Sequence, residues 1–301
     1  MKVIFSRKGF DGAAGGWPSL IFPDGTLFSI PIPIPTPGPN EEYLDKESFY
    51  SELEFPHEGD SIQSILNEVT GGRIYYKDKY IGCDYSAKQQ HCHHDPMLIR
   101  PENRLVLGQS GSAESHLQNQ KVGNGDIFLF YGWFRHVEKK DGRWQYMADP
   151  KDIHLIWSWM KIGEICDVAK PNQQQQASAK YPFLSVHPHI KVDWQEKFNR
   201  IYISDKGGLL PYSDSRCLTD RKEYKGRSKW RLPICFKQKK DAFTFLGENN
   251  FNPEGDDVII KFRGYGQEFV LNLEKVSSGD KTKILAHLDQ MIPELRTSIE
   301  S

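Results

Sequence analysis

Residues 127–134 read Ile-Phe-Leu-Phe-Tyr-Gly-Trp-Phe, a run with no charge and no polar position at helical spacing. A stretch this apolar and this rich in aromatic residues is a buried strand. Residues 154–165, His-Leu-Ile-Trp-Ser-Trp-Met-Lys-Ile-Gly-Glu-Ile, form a second. Two long buried strands this close in sequence are expected to pair. Aromatics make up 12% of the chain, which suits an interior where flat rings pack between pleated faces.

Weaker signals surround this pair. Residues 2–5 read as a strand that opens into the small-residue loop 6–16, and strand-then-loop is a common place for binding groups. Pro23-Asp24-Gly25 between two apolar runs marks a hairpin turn. Residues 31–37 alternate proline with other residues and so belong at an extended edge. Residues 60–69, followed by Gly71 and Gly72, have the cap, the apolar spacing and the glycine stop of a short helix. Further strands are expected at 103–108, 201–204, 258–262 and 268–272, and helices at 112–120 and from about Asp280 onward. The fold class is therefore α+β: a β-rich mixed sheet or partly closed barrel with peripheral helices, its barrel-like core at about 103–170. Residues 170–180, with four successive glutamines at 173–176, lack apolar residues and are expected as a solvated insertion. No repeat or composition shift divides the chain, so residues 1–301 are expected as a single domain.

Charge and cysteine content exclude several classes. A formal net charge of −1 creates no general attraction to polyanions, so any nucleic-acid contact must come from a local patch. The five cysteines are widely spaced and form no CxxC pair, which fits free thiols in a reducing compartment. No run approaches the ~18 apolar residues of a membrane span. A cytoplasmic protein without membrane contact is the expectation, its oligomeric state open.

Four segments carry the chemistry. In the first, Ser6, Arg7, Lys8 and Asp11 precede Gly15 and Gly16, residue types able to cradle a phosphate or carboxylate, although the segment is neither a Walker A loop nor a GxGxxG turn. The second holds His93 and Asp95 within His-Cys-His-His-Asp-Pro, a place for hydrogen bonding or acid/base work; its spacing matches no structural zinc pattern, and neither a metal nor a cofactor is expected. The third, 108–120, carries Gln109, His116, Asn119 and Gln120; a helix would place the last three on one face, able to meet the edge of a base. The fourth ends the first buried strand with Trp133 and Arg135, a stacking surface beside a cation. Each has a plainer alternative: a mobile polar loop, a solvated helix face, or core.

Taken together, the stretch SRKGFDGAAGG with PS and IFPDGT, the HHDP segment, the block GQSGSAESHLQNQ with GDIFLFYGWFR, and the strand IHLIW with KIGEI resemble the third of the nucleotide-modification-associated domain families. The likeness spans nearly the whole chain and implies an association with modified nucleotides, bacterial DNA base modification or phage defence, without supplying a reaction. The strand GDIFLFYG followed by one ending in IGEI is also similar to the barrel of PUA, ASCH and EVE modules, which implies a PUA-like core. The leading hypothesis is an enzyme acting on a nucleotide or nucleobase, free or within DNA, with a polar pocket built from the first 135 residues. Asp11, His93, Asp95 and His116 are its candidates for proton transfer. Ser6, Arg7, Lys8, Gly15, Gly16, Gln109, Asn119, Gln120, Trp133 and Arg135 are its candidates for binding. The alternatives are a reader module that binds a modified base without chemistry, and a metal-dependent nuclease.

Overall fold

A computed structural model of the chain describes residues 1–34, 48–50, 53, 60–76, 79–82, 91–93, 96–99, 104–191, 197–262 and 268–295. Its main sheet follows a path of seven strands, numbered here in chain order: β1 (Lys2–Arg7), β2 (Pro96–Ile99), β3 (Arg104–Ser110), β4 (Ile127–Lys140), β5 (Ile153–Asp167), β6 (Asn199–Leu209) and β7 (Glu268–Asn272). The spatial order is β2-β3-β6-β5-β4-β1-β7, and only β1 and β4 run parallel along it. The sheet curls into a half-barrel, mixed in direction, with a few helices around it, an α+β fold.

The two apolar runs are the long strands β4 and β5, and they pair antiparallel as expected. Their register slips once, leaving Trp157 of β5 without an opposite residue, and the β5–β6 register slips twice more around Ile162. Extra residues of this kind bend a strand and deepen its twist, and here they roll the long strands into a curl. The chain's beginning and its later part close the arrangement. Lys2 to Ser6 lie against Asn272 to Glu268, and the Asp126 carboxylate receives the Lys2 backbone N–H at 2.7 Å and that of Gly123 at 3.0 Å. The core is thus wider than the expected 103–170, because β1 and β7 complete the sheet.

Alternation along β1 divides two hydrophobic layers. Ile4 points into the curl with Phe128, Phe130, Leu107 and Tyr202, a layer closed by Leu117 of helix α2. Helix α1 is Ile62–Thr70 and α2 is Gly111–Asn119. Val3 and Phe5 point the other way, into a layer shared with Trp230, Phe243 and the apolar side of the C-terminal helix. Ser61 caps α1 and left-handed Gly71 ends it, as the sequence predicts.

Residues 170–180, expected as a solvated insertion, form helix α3, Pro171–Lys180, in which Ala177 alone is buried. Proline sits in its first turn, where a missing N–H costs nothing, and Gln173 accepts from the Lys170 N–H at 3.0 Å. Ala177 supplies the one buried contact of this helix, so polar composition concealed a capped surface helix. Two further helices follow, α4 (Pro188–Lys191) and α5 (Ser278–Met291). Among the described residues, no helix is long and apolar enough to cross a membrane.

Candidate functional site

The C-terminal end of β1 gathers most of the unusual polar chemistry, on both faces of the strand. On the inner face Ser6 is wholly buried and donates its hydroxyl to Glu268 Oε1 at 3.0 Å. Gln109 Nε2, arriving from the end of β3, donates to the same oxygen at 2.5 Å, and Lys8 Nζ lies 3.6 Å from it. Lys8 and Glu268 are only 7% and 1% exposed. Because β3 and β7 are separated by four strands along the sheet path, the Gln109–Glu268 bond is what the curl brings together.

The outer face presents a different arrangement. Tyr131, Trp133 and Arg135 alternate along β4 and share one side. The guanidinium of Arg227 lies 3.8 Å from the centre of the Trp133 ring. Arg135 pairs with Asp152 at 2.7 Å, and Arg7 pairs with Asp11 at 3.1 Å. His154 packs edge-on to Tyr131, and its Nδ1 accepts from Trp230 Nε1 at 2.9 Å. An indole N–H can only donate, so the neutral imidazole carries its proton on Nε2. Burial, reinforced by Arg227 and Arg7, pushes the His154 pKa down to about 3. Burial likewise raises the Tyr131 phenol above its ordinary range, and Arg7, Glu268 and Asp11 all act on it, so the phenol lies within the electrostatic reach of both faces.

The first predicted segment therefore divides. Ser6 and Lys8 face inward and Arg7 outward. Asp11 is fully engaged: Oδ1 accepts the N–H groups of Ala13 and Ala14, both at 2.8 Å, while Oδ2 holds Arg7. Asp11 closes its own turn and orients Arg7. Gly15 and Gly16 do not form the anticipated anion cradle. Both have positive φ, a Cβ on either would strike the Phe10 or Tyr75 ring, and the Gly16 N–H is bonded to the Asp11 carbonyl. Their service is to a tight, self-bonded turn.

The other candidates do not join one cleft. Gln109 points inward, whereas at its neighbour Gly108 a Cβ on the opposite face would lie 2.3 Å from His189. His93 packs there, its ring 5.6 Å from that of His189, which in turn meets Asn199 at 2.6 Å. The sheet separates this histidine group from Gln109. Asp95 lies outside the described residues. His116 sits on α2, bonded to Thr244 at 3.3 Å and covered by the Phe245 ring at 4.4 Å. Asn119 is exposed in the last turn and Gln120 caps the helix, so neither reaches β1. Among the described residues, no group of three His, Cys, Asp or Glu side chains is placed to hold a metal.

Sequence reasoning missed Glu268, Arg227, Tyr131, His154 and Glu114. Glu268 is a lone charge opening the strand Glu-Phe-Val-Leu, a signal that a polar group is being carried into an apolar layer. Arg227 immediately precedes the polar-aromatic stretch 228–233. Glu114 is wholly buried under α2, accepting from Tyr202 at 2.8 Å and Gln118 at 2.9 Å, and burial pushes its pKa up to about 7. The polar cluster at the end of β1 therefore draws on residues beyond the first 135, Glu268 among them.

Across residues 2–272 the chain matches the family model described as nucleotide modification associated domain 3. No curated protein and no solved structure matches it.

Proposed function

Since the chain belongs to the nucleotide modification associated domain 3 family, we propose that the end of β1 is a nucleotide-binding site and that the protein is an enzyme acting on the base or sugar held there. One observation carries this reading: the buried Lys8–Glu268 pair, with Ser6 and Gln109 donating to the same carboxylate oxygen. Removing two opposite charges from water costs several kcal/mol per ion, which good geometry repays only in part, so such a pair is a poor device for stability alone. Buried titratable pairs recur where proton transfer is needed. In this role Glu268 accepts a proton from a substrate O–H or N–H, Lys8 steadies the negative charge that results, and Ser6 and Gln109 hold the carboxylate in place. The setting that the family resemblance implies is DNA base modification or defence against phage.

The test is incubation of the purified protein with deoxynucleoside monophosphates and with DNA, products being followed by mass spectrometry. Wild type is expected to convert one of these, and Glu268→Gln to lose conversion while still melting cooperatively above the assay temperature, its melting temperature lowered by loss of the charge opposite Lys8. Full conversion by Glu268→Gln would overturn the catalytic reading. A reader module is the second reading, favoured by the solvent-reaching Trp133–Arg227 stack. It predicts binding that depends on Trp133, with no product formed by wild type.

A further inference from the structure

Three arginines approach one another on the outer face, and they are not equivalent. Arg7 and Arg135 are each held by a carboxylate, Asp11 and Asp152. Arg227 is not. Among the described residues its guanidinium makes no hydrogen bond and no ion pair, and it lies on the Trp133 ring. It is half-buried, and burial pulls its pKa below the ordinary arginine range although Asp152 and Asp11 pull the other way. Its Nη2 would lie 3.9 Å from a Cβ built on Gly12, so the loop after β1 comes into van der Waals reach of the guanidinium. The Trp133 indole Nε1 is buried beside it without an acceptor among the described residues.

A planar cation laid on an aromatic ring keeps its N–H edge free, and a guanidinium edge matches two oxygens of one phosphate. Tyr131 and His154, packed ring to ring and both held neutral, lie within electrostatic reach of Arg7 and add no competing negative charge. We propose that Arg227 is the phosphate-binding residue of the site, so that its ligand is a phosphate ester carrying a base and not a free base or nucleoside. The proposal rests on the nucleotide reading above and narrows its substrate class. The phosphate belongs either to a free nucleotide or to a nucleic-acid strand.

Isothermal titration of the full chain separates these cases. The probes are deoxynucleosides, their 5′-monophosphates, inorganic pyrophosphate and a short single-stranded oligonucleotide. A charge-assisted contact of about 1.5–3 kcal/mol corresponds to about tenfold or more in affinity. Wild type is expected to prefer a monophosphate or the oligonucleotide over the nucleoside by about that factor, and to bind pyrophosphate. Arg227→Ala is expected to erase both the preference and pyrophosphate binding with nucleoside affinity unchanged, and Arg227→Lys to restore part of the preference. Tight, salt-sensitive oligonucleotide binding with weak mononucleotide binding assigns the phosphate to a strand; the reverse assigns it to a free nucleotide. An unaltered preference in Arg227→Ala, or equal affinity of wild type for nucleoside and monophosphate, overturns the phosphate assignment while leaving the nucleotide site standing. If no probe binds, both readings fail together. A circular-dichroism melt confirms that each variant is folded.

Discussion

The two faces of β1 differ in how they treat charge. On the inner face Lys8 meets Glu268, Ser6 and Gln109 donate to the same carboxylate, and hardly any of the four is exposed. On the outer face a stacked arginine, Arg227, lies on Trp133 and, among the described residues, forms no ion pair. Alternation along β1 sends Ser6 inward and Arg7 outward, whereas Arg227 reaches the outer face from a distant part of the chain. The inner group is assembled by the folded sheet. Substitutions on the inner face are therefore expected to damage folding and function together, whereas those on the outer face separate the two.

The largest expected effect lies inside the curl. Phe130 is wholly buried and packs on Phe128 and Trp157, so Phe130→Ala is expected to cost about 3–5 kcal/mol by urea denaturation. A loss under about 1 kcal/mol would mean that this layer is not the core it is taken to be. Next is Glu268→Ala, which takes the carboxylate from beside the buried Lys8 ammonium and is expected to cost about 3 kcal/mol. Adding Lys8→Met should recover part of that loss, because the stranded charge leaves with the lysine; strict additivity of the two substitutions would deny the coupling.

A smaller, pH-dependent effect comes from Glu114. Its folded pKa of about 7 lies above the ordinary 4.5, so the folded state binds the extra proton and is favoured at low pH. Wild-type stability is expected to be fully supported below about 4.5 and to fall as pH rises through about 7, a decline that Glu114→Gln removes. His154 acts in the opposite sense. Its pKa falls from 6.5 to about 3 on folding, so its contribution is intact above 6.5 and is lost as pH falls toward 3. Melting curves of wild type and Glu114→Gln across pH 4–8 check the sign; parallel curves would contradict the buried carboxyl.

The smallest effect belongs to the outer face. A cation–π contact between two half-buried groups contributes between the about 0.5–1 kcal/mol of an exposed pair and the about 2 kcal/mol of a desolvated one, so Arg227→Ala is expected to cost no more than about 2 kcal/mol. A loss above about 2 kcal/mol would make Arg227 a structural residue and erase the contrast between the faces.

Sequence patterning made the long strands legible because β4 and β5 bury both faces and so carry continuous apolar runs. Helix α1 was legible because cap, periodicity and stop agree at Ser61, Ile65 and Gly71. Helix α3 was not, since a surface helix with one buried alanine has no periodicity to read. At the site, Ser6, Arg7, Lys8, Gln109, Trp133 and Arg135 were visible as polar groups at the ends of apolar strands. Their partners were not, because Glu268 is brought to Gln109 only by the curl of the sheet, a relation of 159 residues in sequence. The same curl explains why His93 failed to join them: alternation at Gly108 and Gln109 sends neighbouring residues to opposite faces.

The central claim, that the end of β1 is where a nucleotide binds, is tested most directly by a crystal structure of the chain with the best-binding nucleoside monophosphate. The phosphate is expected against the Arg227 guanidinium, with the base or sugar reaching toward Lys8 and Glu268, past Tyr131. A nucleotide seated instead on His116 and Phe245, or beside His93 and His189 behind Gly108, would contradict it.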